Sequence, residues 1–157
     1  LFMDLVPEGF RQRVVDDLIF RLRKDKLHLR TGFVGTPYFC RVLSNTGANE
    51  MAYQLLLNED YPSWLYAINL GGTTIWERWN SLNPDGTVSS TGMNSFNHYA
   101  YGSIVEWMYR DMCGLNPTSG DDLLPGFRRA RIAPKPDKAL QWARVRYQSA
   151  AGLFESG

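Results

Sequence analysis

The sequence predicts a mainly α-helical fold, in which helix pairs stack into a toroid or bundle, followed by the opening strands of a β-domain. Apolar residues recur at helical spacing through most of residues 1–115, and short turns rich in Gly, Asn and Pro separate these stretches. After a turn-rich linker at 116–122, the apolar residues alternate with polar ones, as is typical of strands. The helices are too few to close a toroid, so we expect a further, N-terminal part of the helical domain.

The first predicted helix starts at Val6-Pro7-Glu8, because Pro is tolerated in a first turn and Glu complements the helix dipole there. It should end near residues 24–26. One face is apolar and comprises Phe10, Val14, Val15, Leu18, Ile19 and Leu22. The charged residues of the opposite face indicate a solvated surface. His28, at the helix exit, is interpreted as structural.

Four further helices are expected. They cover 36–44, 50–58, 63–70 and 96–113. Pro62-Ser63 begins the third of these, Gly71-Gly72 closes it, and Gly114 ends the last. Residues 80–94 are predicted to be a loop.

Two strands are expected in residues 116–157, over 127–133 and 140–149. Ala143, Val145 and Tyr147 should share one face of the second strand. The basic residues of this region are interpreted as charges on an exposed strand face that discourage edge pairing.

The amino-acid composition favours some classes of ligand over others. The 157 residues are 44% hydrophobic and 21% charged, as in an ordinary globular chain. Residues 31–115 hold three basic and seven acidic residues, a balance of −4 that argues against nucleic acid as the ligand and suits neutral sugars. Cys40 and Cys113 fit no metal or redox motif and should be buried, reduced thiols.

No apolar run approaches 18 residues, so no membrane span is expected. No signal peptide is visible, and the chain starts at Leu1 without an initiator Met, which suggests a piece of a longer protein. Cytoplasm, periplasm and secretion all stay open as locations.

The stretch Gly71–Asn80 places Glu77 between Trp76 and Trp79, with a flexible glycine approach. A carboxylate against flat aromatic walls is typical of a sugar-binding cleft. Glycoside hydrolysis needs two carboxyl groups flanking the anomeric carbon, and Glu77 could be one of them. A surface Glu in an aromatic-rich helix turn is the alternative.

The second candidate motif is the stretch 93–102, which contains Asn94 and His98. If it forms the start of the last helix, free N–H groups and the helix dipole would favour a neutral His98 that binds sugar hydroxyls. Alternatively, Asn94 is a helix cap and His98 a buried structural histidine.

Aromatic residues are dense in this region, with ten of 21 between Tyr61 and Tyr109. Trp64, Trp76 and Trp79 are the candidates for stacking on a pyranose ring. The sequence contains no P-loop, GxSxG, metal-ligand or Cys/His motif, so no cofactor and no metal is expected.

Four runs together resemble the α-L-rhamnosidases of glycoside hydrolase family 78. They are Thr31-Gly-Phe-Val-Gly-Thr-Pro-Tyr38, Glu59-Asp-Tyr-Pro-Ser-Trp-Leu-Tyr66, Thr73-Thr-Ile-Trp-Glu-Arg-Trp79 and Met93-Asn-Ser-Phe-Asn-His-Tyr-Ala-Tyr-Gly102. The stretch 125–136, followed by Leu140-Gln-Trp-Ala143, is similar to the start of that family's C-terminal β-sandwich.

The resemblance implies an inverting enzyme with an (α/α)6-barrel catalytic domain that releases terminal α-L-rhamnose from glycosides or polysaccharides. Residues 1–115 would be the C-terminal portion of the barrel, and 116–157 the linker and the start of the β-sandwich. Glu77 matches the family's general base and His98 a histidine that contacts rhamnose. Trp64, Trp76, Trp79 and Asn94 are expected as pocket neighbours.

The family's general acid lies in an acidic, Arg-rich stretch several helices upstream, and nothing in residues 1–30 matches that stretch. The rest of the parent chain is therefore an expected partner, and this piece alone is expected to be inactive. A non-catalytic carbohydrate-binding piece and an inactive homologue remain as alternatives.

Overall fold

The computed structural model describes residues 1–118 and 124–157, which form two compact units, Leu1–Ile104 and Val105–Gly157. The chain is rich in helix and contains a few short strands, as predicted. Its helical elements are α1 (Glu8–Lys24), α2 (Thr36–Asn45), α3 (Asn49–Leu56), α4 (Trp64–Asn69), a 3₁₀ helix (Ala100–Ser103), α5 (Ile104–Trp107), a π-helix (Met108–Met112) and a second 3₁₀ helix (Pro125–Phe127).

Helices α1 to α4 confirm the helices predicted over the same stretches, with ends shifted by one or two residues. α4 begins where Ser63 caps it, because the Ser63 hydroxyl accepts a hydrogen bond from the Tyr66 N–H (3.0 Å). α1 buries only Val15 and Leu22. Phe10, predicted on the apolar face, is 57% exposed.

The core of the first unit lies where α2 packs against α3 and against the 3₁₀ helix at Ala100–Ser103. Leu43 and Ala52 are fully buried there. The Cys40 thiol is also buried and donates a hydrogen bond to the Ala52 carbonyl oxygen (3.9 Å). Burial of a leucine side chain of this kind contributes about 1.5–3 kcal/mol.

The loop that precedes α2 is fixed to the start of that helix. The Thr36 hydroxyl donates to the Gly32 carbonyl oxygen (2.9 Å), and the Thr36 backbone N–H donates to the same oxygen (3.1 Å). Thr36 itself is 3% exposed. The loop carrying Phe33 is therefore held in a defined position.

The predicted start of the helix over 96–113 is wrong. Helical structure begins only at Ala100, as a 3₁₀ helix, and the preceding residues are irregular. The reason is that Ser95 and His98 use their backbone groups in hydrogen bonds to an earlier loop, described below. Those groups are then not available for helix formation.

The second unit contains two antiparallel strand pairs. β1 (Leu115–Pro117) pairs with β2 (Ala130–Ile132), and β3 (Val145–Ser149) pairs with β4 (Gly152–Ser156). β2 and β3 are shorter than predicted. β1 corrects the prediction of a linker at residues 116 and 117. Residue 118 lies outside the strand, and residues 119–122 of the predicted linker lie outside the described residues.

Both cysteines are buried thiols, as predicted. In the described part of the chain, no helix has the length and apolar character that a membrane crossing requires.

Candidate active site

The two sequence motifs lie side by side, joined by backbone hydrogen bonds between residues 74–78 and 92–98. The Glu77 N–H donates to the Ser95 carbonyl oxygen, and the His98 N–H donates to the Ile75 carbonyl oxygen (both 2.8 Å). The Thr74 hydroxyl donates to the Phe96 carbonyl oxygen. We call these paired segments the double loop.

The Glu77 carboxylate is held by the double loop. Its Oε2 accepts a hydrogen bond from the Ser95 N–H (2.8 Å), and the residue is half-buried. The Ser95 N–H therefore bonds to Oε2 and not to the other carboxylate oxygen, Oε1. The neighbouring Arg78 does not direct its hydrogen bonds to Glu77, because its guanidinium donates to the carbonyl oxygens of Met93 (3.0 Å) and Gly92 (2.9 Å).

Glu77 lines a cleft of about 330 Å³, which we call the Glu77 cleft. Its lining residues are Gly32, Phe33, Tyr61, Glu77, Arg78, Trp79, Asn80, Met93 and Tyr101. The volume falls at the low end of the range for small-molecule sites, about 300–1,000 Å³. An aromatic wall beside a carboxylate suits a sugar ring, whose C–H faces are apolar and whose rim carries hydroxyls.

The aromatic wall is built around Trp79. Its ring stacks on Tyr101 (centroids 3.9 Å apart, 19° between planes), and its indole N–H donates to the Thr31 carbonyl oxygen (3.2 Å). Burial raises the pKa of the Tyr101 phenol, and the positive charge of Arg78 acts in the opposite direction. The Tyr101 side chain is therefore neutral at physiological pH.

Two of the predicted tryptophans are buried and are not among the residues that line the cleft. Trp64 is 7% exposed, donates its indole N–H to the Tyr101 carbonyl oxygen (2.9 Å) and packs edge-on against Trp79. Trp76 is 5% exposed and packs edge-on against Phe96. Trp64 therefore packs against the aromatic wall, whereas Trp76 packs against a ring of the double loop that does not line the cleft.

His98 stacks between Phe33 (centroids 4.7 Å apart, 15°) and Tyr99 (5.2 Å, 9°). Its Nδ1 accepts a hydrogen bond from the Ala100 N–H (3.3 Å), which places the ring hydrogen on Nε2. The helix start expected at His98 is absent, because helical structure begins at Ala100.

Asn94 does not cap a helix. Its Nδ2 donates to the carbonyl oxygen of Ser81 (3.0 Å), a fully buried residue. Its Oδ1 is buried and accepts no hydrogen bond from any described residue. Neither Asn94 nor His98 lines the Glu77 cleft, although His98 contacts Phe33, which does.

Phe33, Tyr61 and Tyr101 are not among the residues predicted for the site, yet all three line the cleft. For two of these residues, the surrounding sequence indicates an exposed loop and could have identified them as candidates. Phe33 follows a glycine in a short apolar segment, and Tyr61 directly precedes the Pro62-Ser63 helix start, so both lie in exposed loops. Among the described residues, no cluster of three or more His, Cys, Asp or Glu side chains could hold a metal ion.

Two family models match the chain. The model of the bacterial α-L-rhamnosidase six-hairpin glycosidase domain matches residues 1–112, and that of the bacterial α-L-rhamnosidase C-terminal domain matches residues 114–157.

Curated relatives agree with these models. An α-L-rhamnosidase from Streptomyces avermitilis is 43% identical over 152 residues, which are 97% of this chain and 14% of that protein. An α-L-rhamnosidase from Alteromonas sp. is 44% identical over 143 residues, which are 91% of this chain and 15% of that protein.

Solved structures share the fold. The S. avermitilis α-L-rhamnosidase complexed with L-rhamnose superposes with a TM-score of 0.90 at 42% identity, covering 98% of this chain and 14% of that one. The Aspergillus terreus enzyme gives a TM-score of 0.88 at 34% identity, covering 95% and 17%. The chain spans only a small part of the length of these relatives, and by its sequence and fold it belongs to the bacterial α-L-rhamnosidase family.

Proposed function

We propose that this chain is part of an inverting α-L-rhamnosidase, in which Glu77 acts as the general base. The single observation that carries the proposal is the half-buried Glu77 carboxylate, which lines a cleft with aromatic walls and accepts a hydrogen bond from the Ser95 N–H. Family membership supplies the substrate class, a terminal α-L-rhamnose on a glycoside or polysaccharide. In this proposal residues 1–115 are the C-terminal portion of an (α/α)6 barrel, and 116–157 lead into a β-sandwich.

In the proposed reaction, Oε1 of Glu77 takes a proton from a water molecule while the water oxygen attacks the anomeric carbon. The bond from that carbon to the glycosidic oxygen breaks, and the leaving oxygen receives a proton from a general acid elsewhere in the parent protein. The Ser95 N–H holds the other oxygen, Oε2, and so orients the carboxylate toward the water. The sugar product has the inverted configuration.

The other residues predicted for the site either contact the sugar or support the residues that do so in this proposal. Trp79 lines the cleft and would stack on the rhamnose ring. His98, with its hydrogen on Nε2, would donate to a rhamnose hydroxyl. Asn94 would position the double loop through its bond to Ser81. Trp64 would support the wall through its contact with Trp79, and Trp76 would support the double loop through its contact with Phe96.

Replacement of Glu77 by Gln in the full-length protein tests the proposal. Gln is isosteric, and its carbonyl oxygen still accepts from the Ser95 N–H, but it cannot take a proton from water. Hydrolysis of an aryl α-L-rhamnoside should fall at least ~10²-fold. Glu50→Gln, at an exposed position of α3, is the control and should keep wild-type activity. Activity of Glu77→Gln near wild type would contradict the assignment.

A second candidate function is sugar binding without hydrolysis by this piece alone. It is favoured by the composition of the cleft, since Glu77 is the one carboxyl group among its described lining residues. Hydrolysis by inversion needs two. Calorimetry of the isolated chain with L-rhamnose tests this function, and the absence of heat at millimolar sugar would count against it.

A further inference from the structure

The second unit of the chain contains a cavity of its own. Its volume is about 520 Å³, and its lining residues include Ile132, Trp142, Arg144 and Glu155. We call it the Trp142 cavity. Every residue that lines it lies within the unit Val105–Gly157, and none of them lines the Glu77 cleft. The function proposed above therefore does not account for this cavity.

Trp142 presents a large aromatic surface to solvent. It is 79% exposed, whereas three of the other four tryptophans of the chain are at most 7% exposed. Ile132, which lines the same cavity, is 51% exposed. Exposed apolar patches of this kind mark interaction sites. The flat face of an indole ring suits the C–H face of a pyranose ring, and its N–H can donate to a sugar hydroxyl.

The pairing of β3 with β4 sets the positions of Arg144 and Glu155. Arg146 lies directly opposite Glu155 in that pairing, and Oε1 of Glu155 accepts from both Arg146 and Arg144, the latter at 3.0 Å. The backbone beside them is closely packed, since a Cβ on Gly157 would lie 2.5 Å from the Ala143 carbonyl oxygen. Each ion pair uses one nitrogen of a guanidinium group, which carries five N–H donors. Arg144 can therefore bind Glu155 and a ligand carboxylate at the same time.

The charge of this part of the chain favours an acidic ligand. Residues 124–157 contain seven basic and two acidic side chains, a balance of +5. Lys135 pairs with Asp111, and the balance stays positive when Asp111 is included. Within the cavity, one Glu155 carboxylate serves two arginines, so a positive charge is left for a ligand. Such a surface attracts polyanions over several ångströms.

We propose that the Trp142 cavity binds an acidic polysaccharide, with one uronic-acid ring stacked on Trp142 and its carboxylate held by Arg144. The cavity is a second, non-catalytic sugar site that holds the protein on a polymer. Its chemistry goes beyond the function proposed above, and only the choice of a polysaccharide as the polyanion rests on that function.

A single-stranded nucleic acid is the competing polyanion. Proteins that bind single strands stack successive bases on several aromatic side chains. Among the described residues that line the cavity, Trp142 is the one aromatic side chain. One ring beside one arginine matches a single sugar unit with a carboxylate better than a row of bases.

The test measures polymer binding by the full-length protein, with polygalacturonate as the acidic probe and galactan as the neutral one. Affinity electrophoresis gives the Kd, and polygalacturonate should bind more tightly than galactan. Trp142→Ala and Arg144→Gln should each weaken binding of polygalacturonate about tenfold, through loss of the ring contact and of a charge-assisted hydrogen bond. Trp142→Phe keeps a ring and should retain most of the affinity. Arg128→Gln is the matched control, because it removes the same charge from an exposed residue that does not line the cavity.

Each outcome decides the proposal. An equal loss in Arg128→Gln and Arg144→Gln, or unchanged affinity in Trp142→Ala, would show that only diffuse charge attracts the polymer and would overturn the site. Tighter binding of oligo-dT than of polygalacturonate would overturn the choice of ligand. Hydrolysis of an aryl α-L-rhamnoside by Trp142→Ala should equal that of wild type, since the small substrate makes no use of this cavity. Failure of the role proposed for Glu77 would leave the binding results unchanged, so the two proposals fail separately.

Discussion

Glu77 and Ser95 are hydrogen-bonded twice, once through the Glu77 N–H and the Ser95 carbonyl oxygen and once through the Ser95 N–H and Oε2 of Glu77, each at 2.8 Å. The first bond fixes the backbone and the second fixes the carboxylate. The position of the carboxylate is therefore tied to a segment 18 residues away in sequence. A displacement of residues 92–98 would move the proposed base as well.

Removal of the Glu77 side chain should be rescued by an external nucleophile. In the proposed reaction, Glu77→Ala removes the group that takes a proton from water. Azide is already an anion and needs no general base. With an activated aryl rhamnoside, azide nitrogen would attack the anomeric carbon as the bond from that carbon to the aryloxy oxygen breaks, giving β-L-rhamnosyl azide and the free phenolate. We expect azide to raise the rate of Glu77→Ala at least about tenfold, measured by aryl release and by NMR of the product. Glu50→Ala is the control, and an α-configured azide or no acceleration would argue against Glu77 as base.

Arg78 should be necessary for the rigidity of the double loop. Arg78→Met keeps the length of the side chain but removes both donors to the carbonyl oxygens of Met93 and Gly92. Loss of charge-assisted bonds worth about 1.5 kcal/mol should speed amide exchange of residues 92–98 about tenfold. Exchange, and not activity, is the readout because Arg78 also lines the cleft. Unchanged exchange, matching the Arg13→Met control, would refute the role.

Gly72 should not tolerate a side chain. A Cβ there would lie 2.8 Å from the Ala67 carbonyl oxygen and 2.9 Å from Cζ2 of Trp76. Gly72→Ala should therefore destabilise the fold by about 1–3 kcal/mol through overpacking. Thermal unfolding of the full-length protein should show a lower midpoint. Gly9→Ala is the matched control, since its Cβ meets nothing within 4 Å and Ala is the better helix former, so a lowered midpoint in both variants would contradict the explanation.

The pKa of Asp85 depends on Thr87. The Thr87 hydroxyl (2.6 Å) and backbone N–H (2.9 Å) both donate to Oδ1 of Asp85 and lower the pKa of that carboxyl. Because the pKa is lower in the folded state, this turn adds stability above the unfolded-state pKa, and the contribution disappears as the pH falls through the folded-state pKa.

In Thr87→Val the side-chain donor is lost, and the pKa of Asp85 should rise toward its ordinary value, as measured by NMR titration of the carboxyl carbon. Thr73→Val, at another exposed threonine, should leave it unchanged. An unaltered pKa in Thr87→Val would mean that the backbone N–H alone accounts for the shift.

Helices α1 to α4 could be predicted because their signals are local. The spacing of apolar residues, the helix start at Pro62-Ser63 and the glycine turns each determine the structure of only a few neighbouring residues. The start of the last helix could not be predicted in this way. His98 donates its N–H to Ile75, and Ser95 bonds to Glu77, so tertiary pairing takes the place of the predicted helix at 96–99. β1 was missed for a similar reason, since its three residues are strand only through pairing with β2.

The proximity of the two motifs in the candidate site could be inferred from sequence, but the direction of each side chain could not. Trp76 and Glu77 are adjacent in an irregular segment, yet Trp76 is buried and Glu77 lines the cleft. Without a regular period in this segment, the pattern of residues does not predict which of the two side chains enters the core. Phe33 and Tyr61 come from distant loops, and only the packing of the folded chain brings them to the same wall.

The double loop has a consequence for protein engineering. Between the two halves of the double loop, the chain reverses direction at Asn83–Thr87. An antiparallel bridge between Leu82 and Val88 closes this turn. The tip of the turn, Asp85-Gly86, is exposed. The residues that hold Glu77 lie on either side of this turn and bond to each other, not to its tip. Insertions at Asp85-Gly86, such as an affinity peptide or a fluorophore attachment site, can therefore be accommodated beside the site without shifting its carboxylate.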